Sequence, residues 1–333
     1  MNAPPSNPAA LRAPAKATIS FTRACNLNCR FCYADCNAAP GPDELDLHAW
    51  KRVLDELIEL GAICFLFEGG EPLARADFID LVSHVSDRAL CRVRTHGALI
   101  DPAMAQRLQA ANTGTVLIDL FAADPAVHDF LTGTPGSFQR TIAGVRALQD
   151  VGLPVEFLAI LNRHNIDGMQ RYLDFAHGLG IDTVGILRPY PIGRARRRWQ
   201  EMCPSLDAMT AMLDALVIPD GLKLNQSWHP NNANCCWQMA AVDPDGRSIG
   251  CAYLREYVDY GSVVEDGFMA TWNDPLYRKL RAGQVEKSCT TCEAREMSRG
   301  GCRSSAFALT GRWDAPDPFD ITLNGGIDVR SLP

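Results

Sequence analysis

The chain has 333 residues, of which 47% are hydrophobic and 21% charged, and its net charge is −7. Such a composition belongs to a soluble globular protein of one large domain, or of a large domain with a smaller companion. The acidity argues against nucleic acid as a partner, and the absence of any apolar run near ~18 residues argues against a membrane. Residues 1–16 are rich in Ala and Pro without the apolar stretch of a secretory signal, and read as a disordered arm. Thirteen cysteines in a chain without that signal point to a cytoplasmic protein whose clustered thiols bind metal.

Taken in order, Ala17-Thr18-Ile19-Ser20-Phe21-Thr22 alternates apolar and polar residues and predicts a strand. From its C-terminal end opens Cys25-Asn26-Leu27-Asn28-Cys29-Arg30-Phe31-Cys32-Tyr33. Apolar residues at helical spacing follow over 46–60, ended by Gly61 as a C-cap. Ile63 to Phe67 is a continuous apolar run suited to a buried strand, and it leads into Glu68-Gly69-Gly70-Glu71-Pro72. The rhythm then repeats, with helices over 78–88, 102–111, 138–151 and 168–179 and strands over 91–94, 115–121, 155–161 and 183–187. Six strands alternating with helices predict an α/β fold, a parallel sheet forming a partial (β/α)6 TIM-like barrel. Chemistry in such folds gathers at the C-terminal strand ends, where both the cysteine loop and the Gly-Gly-Glu-Pro turn fall. Residues 188–198, with five arginines, predict an exposed connection, and 206–216 predict a helix. We place a boundary after residue 219, then a small metal-stapled domain over 220–310 and an irregular tail over 311–333. Cys64 and Cys91 lie in strand-like runs and read as buried side chains.

Two metal chemistries fit Cys25, Cys29 and Cys32. A structural zinc would add Cys36 as a fourth ligand, whereas an iron-sulfur cube on three thiolates would leave one iron open. Position at a strand end favours the cube. The motif Cys-x3-Cys-x2-Cys with Phe31 before the last thiol resembles that of the radical S-adenosylmethionine (SAM) enzymes. The resemblance extends through Gly69-Gly70-Glu71-Pro72, through Gly136-Ser137-Phe138 to Leu148, and through Asn162-x-His164-Asn165. The last two stretches are similar to the branch with C-terminal SPASM or twitch domains. It implies that Cys25, Cys29 and Cys32 hold a [4Fe-4S] cluster whose open iron binds SAM. It also implies SAM contacts from Gly69, Gly70, Glu71 and Pro72, with Phe31 and Tyr33 near the adenine, and a flavodoxin or ferredoxin as reductant. Three positions depart from the family pattern: Glu68 before the Gly-Gly-Glu, His96 where an Asn is usual, and Asp119-Leu120-Phe121-Ala122 where Ser-Leu-Asp-Gly is common. His96 and Asp119 are accordingly expected at the cofactor or substrate, although for His96 a structural role is the simpler expectation. Arg188 is expected either to reach a carboxylate or to join a solvated basic face with Arg194–Arg198.

A second set, Cys236-x9-Gly246-x4-Cys251 followed by Cys289-x2-Cys292 and Cys302, resembles the auxiliary-cluster domain of the same branch. The full pattern would put cysteines at Ser298 and near the terminus. One auxiliary [4Fe-4S] cluster is therefore expected, with Cys235 in reserve and an oxygen ligand such as Asp320 needed for a second. Zinc is the alternative for this set taken alone. The implied function is reductive SAM cleavage and hydrogen abstraction in the maturation of a ribosomally made peptide. The alternatives are an oxidase or dehydrogenase of a small-molecule pathway (aminocyclitol or tetrapyrrole) and a non-catalytic metal-binding scaffold.

Overall fold

The computed structural model describes residues 11–228, 235–283 and 300–333. Eight strands form one sheet: β1 (Lys16–Ser20), β2 (Cys64–Glu68), β3 (Leu90–Thr95), β4 (Thr115–Asp119), β5 (Val155–Ile160), β6 (Thr183–Leu187), β7 (Lys223–Gln226) and β8 (Met239–Val242). Their order is β7-β6-β5-β4-β3-β2-β1-β8, and every neighbouring pair is parallel. Sequential parallel neighbours are the order of a barrel built one βα unit at a time. The expected six strands are all present at the expected places. The sheet does not stop near residue 220, however: β7 extends it beyond β6, and β8 pairs with β1 on the opposite side.

The crossovers are helices α1 (Leu47–Glu59), α2 (Phe78–Ser86), α3 (Pro102–Ala110), α4 (Pro125–Thr132), α5 (Ser137–Asp150) and α6 (Met169–Gly178). Local chemistry fixes their starts. Asp46 caps α1 by accepting from the Ala49 amide at 2.7 Å, and Asp101 and Asp124 cap α3 and α4 ahead of a proline. The buried face of α1 is Trp50, Val53, Leu54 and Leu57, each worth about 2 kcal/mol in burial. Trp50, Phe67 and Phe78 pack edge-on around Phe21, the first residue past β1, and hold the exit of that strand in place. Helix α4 is an addition to the expected elements.

After β6 come three short helices, α7 (Gly193–Arg197), α8 (Trp199–Met202) and α9 (Leu206–Ala215), then β7 and β8. Helices α10 (Phe268–Trp272), α11 (Pro275–Ala282) and α12 (Arg303–Thr310) complete the chain. Residues 1–10 of the expected loose arm lie outside the described residues, but 11–15 are pinned. The Ala15 amide donates to Gln238 O, Ala15 O accepts from the Ile63 amide, and Leu11 O accepts from the Trp272 indole. Residues 311–333 form turns rather than helix or strand, yet bury Asp317, Phe319 and Val329. Among the described residues no helix is long and apolar enough to cross a membrane.

Candidate active site

The cysteine loop begins one turn past β1 and is tied at both ends. The Cys25 amide donates to Asn37 O at 2.7 Å, and the amides of Asn28 and Arg30 donate to Thr132 O and Leu131 O at the end of α4. A third tie comes from α7, which contradicts the expectation of an exposed connection over 188–198. The Arg194 amide donates to Cys32 O at 2.9 Å, while its side chain donates to Cys29 O and Cys36 O, each at 2.8 Å. Gly193, at φ +59°, makes this approach possible, because a Cβ there would sit 2.5 Å from both Cys32 O and Tyr33 O.

Cys25, Cys29 and Cys32 line an open cavity at the C-terminal strand ends. Burial pushes the Cys25 thiol up to about 12 and raises the Cys29 thiol well above its usual value, with the neighbouring thiols adding to both shifts. Cys32 is lowered instead, chiefly by a hydrogen bond from Cys36, which is raised in turn. The expected fourth zinc ligand is thus a hydrogen-bond partner of the third thiol. Three half-buried thiols on one cavity wall, with open volume in front of them, suit an iron-sulfur cluster with one free iron, and binding would deprotonate them.

The Gly-Gly-Glu-Pro turn follows β2 and meets the chain before Cys25. The Gly70 amide donates to Thr22 O and the Glu71 amide to Ala24 O, both at 2.7 Å. A Cβ on Gly70 would lie 2.2 Å from Ala24 O, and one on Gly69, at φ +148°, 2.6 Å from Thr22 O. These glycines are required by chain-on-chain contact, and both also line the cavity. Glu71 is fully buried. Its carboxylate accepts from Thr95 Oγ1, from the His96 amide and from the Leu73 amide, and His96 Nε2 lies 3.0 Å away. Pro72 is buried as the first residue of a short turn. His96 Nδ1 accepts from the Ala98 amide, so Nε2 carries the proton, which faces Asn26 Oδ1 at 2.8 Å as well as Glu71. His96 is therefore a clamp between the turn and the cysteine loop whose edge borders the cavity.

Glu68, Arg94 and Asp119, at the ends of β2, β3 and β4, form the polar wall. Arg94 Nε donates to both Asp119 oxygens at 3.0 and 3.2 Å, and its Nη1 lies 3.6 Å from Glu68 and 3.3 Å from Tyr253 Oη. Burial raises the Asp119 carboxyl, and Arg94 opposes that shift. Tyr33 donates its hydroxyl to Glu68 at 2.8 Å, with the Arg94 and Arg255 guanidinium groups 5.9 and 5.2 Å from its ring centre. Phe31 packs edge-on against Phe121 at 4.7 Å and closes the apolar side with Ile160 and Ala195. The two unusual carboxylates of the sequence thus belong to one network, and Arg94 joins them. Arg94, Arg194, Tyr190 and Tyr253 were not anticipated. The spacing Arg92-x-Arg94 in a strand was the available signal for the first.

Tyr190 and Tyr253 stack at 3.6 Å and form the wall towards the second cysteine set. In that set Cys236 and Cys251 are buried and both act on Tyr260 and Tyr277, while Cys236 and Cys302 act on Arg303. Three of the expected ligands are thereby brought to one region. Cys289, Cys292 and Ser298 lie outside the described residues, as does the side chain of Cys235. Arg188 is 2% exposed and its Nη1 reaches Asp317 Oδ2 at 2.6 Å. It meets a carboxylate of its own chain and does not join a solvated face. Asp320 Oδ1 accepts from the amide and hydroxyl of Thr322.

Comparison with known proteins bears on this geometry. The Radical SAM superfamily model matches residues 19–176, and an iron-sulfur cluster-binding domain, SPASM, matches 235–293. Mycofactocin maturase MftC of Mycobacterium tuberculosis (strain CDC 1551 / Oshkosh) is 30% identical over 92% of this chain and 83% of its own. The AdoMet-dependent heme synthase of Methanosarcina barkeri is 26% identical over 94% of this chain and 98% of its own. Among solved structures, Streptococcus suis SuiB bound to precursor peptide SuiA superposes with a TM-score of 0.69 at 17% identity, over 89% of this chain and 73% of that one. The loop, the turn and the second cysteine set are those of an iron-sulfur enzyme that uses SAM, and the chain belongs to the radical SAM superfamily, in its SPASM branch.

Proposed function

We propose that the protein matures a ribosomally made peptide by abstracting a hydrogen atom inside the cavity at the strand ends. The observation that carries this reading is the cavity itself, with three thiols on one wall and the Glu68–Arg94–Asp119 network on another. When bound, a [4Fe-4S] cluster and SAM supply one-electron cleavage of SAM to methionine and a 5′-deoxyadenosyl radical. Cys25, Cys29 and Cys32 hold the cluster, and Gly69 and Gly70 present backbone to SAM. Phe31, Phe121 and Ala195 keep water from the reacting centre. Tyr33, His96 and Asp119 border the space left for SAM and substrate, and the Arg94 ion pairs hold Asp119 in one orientation. Four of the five cysteines Cys236, Cys251, Cys289, Cys292 and Cys302 supply the ligands of one auxiliary [4Fe-4S] cluster. A cytoplasmic flavodoxin or ferredoxin supplies the electron.

The maturase among the relatives and the precursor peptide bound to SuiB support a peptide substrate. A small-molecule reading draws support from the heme synthase, which matches over nearly its whole length. The test is anaerobic incubation of the reduced protein with SAM and a precursor peptide encoded beside its gene. The expected products are 5′-deoxyadenosine and a peptide of altered mass, both lost in Cys25→Ala, Cys29→Ala or Cys32→Ala. Deoxyadenosine formed without any peptide change would move the substrate to the small-molecule class. Its absence from the reduced, iron-loaded protein would leave only a metal-binding scaffold.

A further inference from the structure

The thiols of the cysteine loop face the cavity, and the backbone of the loop faces α7. Arg194 of α7 holds both Cys29 O and Cys32 O, and its side chain is itself partly exposed. The outer side of that helix carries Arg196, Arg197 and Arg198, all exposed. The same surface continues around the rim. Exposed Arg163 donates to Gln200 O in α8 and its neighbour His164 packs on Phe130 at 4.9 Å; the guanidinium of Arg30, within the cysteine loop, lies 4.1 Å from the centre of the same Phe130 ring. Five arginines thus share a face on which Asp35 pairs with Arg194 and Arg197, and Glu201 with Arg198. In a chain of net charge −7, a local cationic excess over the loop departs from the rest of the molecule.

We infer that this arginine face is the landing surface for an acidic one-electron carrier protein of the flavodoxin or ferredoxin type, an inference that rests on the radical SAM reading above. Complementary charge chiefly raises the rate of productive encounter, and a cationic patch on an anionic molecule also orients the carrier as it arrives. Docked there, the carrier lies against α7, whose Arg194 holds the cysteine loop. In the transfer one electron leaves the reduced carrier, which is oxidised by one electron, and enters the cluster held by Cys25, Cys29 and Cys32. No bond is made or broken. A peptide substrate has to reach the thiol side of the loop, and the arginines lie on the backbone side, which favours the carrier over the peptide as the occupant.

The test compares wild-type holoenzyme with a triple variant, Arg163→Glu, Arg196→Glu and Arg198→Glu, none of which contacts the cysteine loop. Reduction by flavodoxin hydroquinone is followed by stopped-flow absorbance and by the electron paramagnetic resonance of the reduced cluster. The expected result is a second-order rate at least about tenfold lower in the variant, with wild type slowed by added salt and the variant much less so. Iron content, dithionite-driven reduction and dithionite-driven deoxyadenosine formation are expected to match wild type. Flavodoxin rates unmoved by the substitutions, or a raised KM for the peptide in their place, overturn the landing surface alone. No deoxyadenosine from dithionite-reduced wild type overturns the underlying reading and the surface with it.

Discussion

Gly70 and Gly168 differ only in what surrounds them, which makes them a matched pair for testing the turn after β2. A Cβ on Gly70 meets the backbone oxygen of Ala24 at 2.2 Å, whereas one on Gly168 meets nothing within 4 Å and needs no positive φ. Gly70→Ala is therefore expected to cost about 3 kcal/mol and to lower the iron bound beside Cys25, because neither backbone can give way cheaply. Gly168→Ala is expected to stay within about 0.5 kcal/mol of wild type. Thermal unfolding and iron content read both, and equal behaviour of the pair would refute the contact argument. His128 sets a pH dependence. It is fully buried, its Nδ1 accepts from the Phe121 amide at 3.2 Å, and burial lowers its pKa to about 4. A histidine depressed in the folded state stabilises above its unfolded value near 6.5 and loses that contribution as pH falls towards about 4. Between pH 7.5 and 5 the loss is about 2 kcal/mol. In His128→Asn, whose amide oxygen can replace Nδ1 as acceptor, that increment of acid sensitivity is expected to vanish from denaturant midpoints. Sequence made the carboxylates Glu68 and Asp119 visible as departures, but not their link. Arg94 looks like the outward half of an alternating strand, and its partners lie 26 and 25 positions away, so only the sheet register joins them.

At the scale of elements, the six βα strands were legible because each is an apolar run bounded by turn residues. Strand β7, Lys223–Gln226, has no such run and exists through its pairing with β6. Helix α4 carries a cap at Asp124, a proline at its first turn and Gly133 at its end, yet at eight residues it disappears into the connection between β4 and α5. The arginine-rich segment after β6 misled for a physical reason. Its composition describes the outward side of α7, while Gly193, Arg194 and Ala195 face the cysteine loop. Helix α7 is thus a brace for the loop, and Arg194 is the group that makes it one. Arg194→Gln gives up charge-assisted bonds to Cys29 O and Cys36 O, worth about 1.5 to 3 kcal/mol. Iron is expected to leave this variant for a chelator at least about tenfold faster than wild type. Arg194→Lys should recover only part of the loss, because an ammonium cannot reproduce the fork that reaches both carbonyls. Unchanged iron release in both variants would remove the brace.

The whole molecule closes through its C-terminal tail. Irregular backbone was legible there from the Pro, Asp and Gly content, but its burial was not, because turn residues say nothing about what a turn packs against. Asp317 shows what the packing does. One carboxylate oxygen meets Arg188 at the end of β6 at 2.6 Å and accepts from the Cys302 amide at 2.8 Å, and the other accepts from the Phe319 amide at 3.0 Å. Tail, barrel and second cysteine set therefore share one buried charge. Asp317→Asn keeps the shape and one acceptor oxygen but leaves the Arg188 guanidinium without its counter-charge, a loss of about 3 to 5 kcal/mol for a buried pair. Since Cys302 is anchored by the same carboxylate, the substitution is also expected to cost about four irons per chain from the auxiliary site. The cluster in the strand-end cavity lies in front of a different loop, so its reduced spectrum in electron paramagnetic resonance should persist in the variant. Iron analysis, thermal unfolding and that spectrum on one preparation decide the matter. Loss of both clusters together would mean that the tail stabilises the barrel as a whole, and loss of neither would mean that Asp317 anchors nothing.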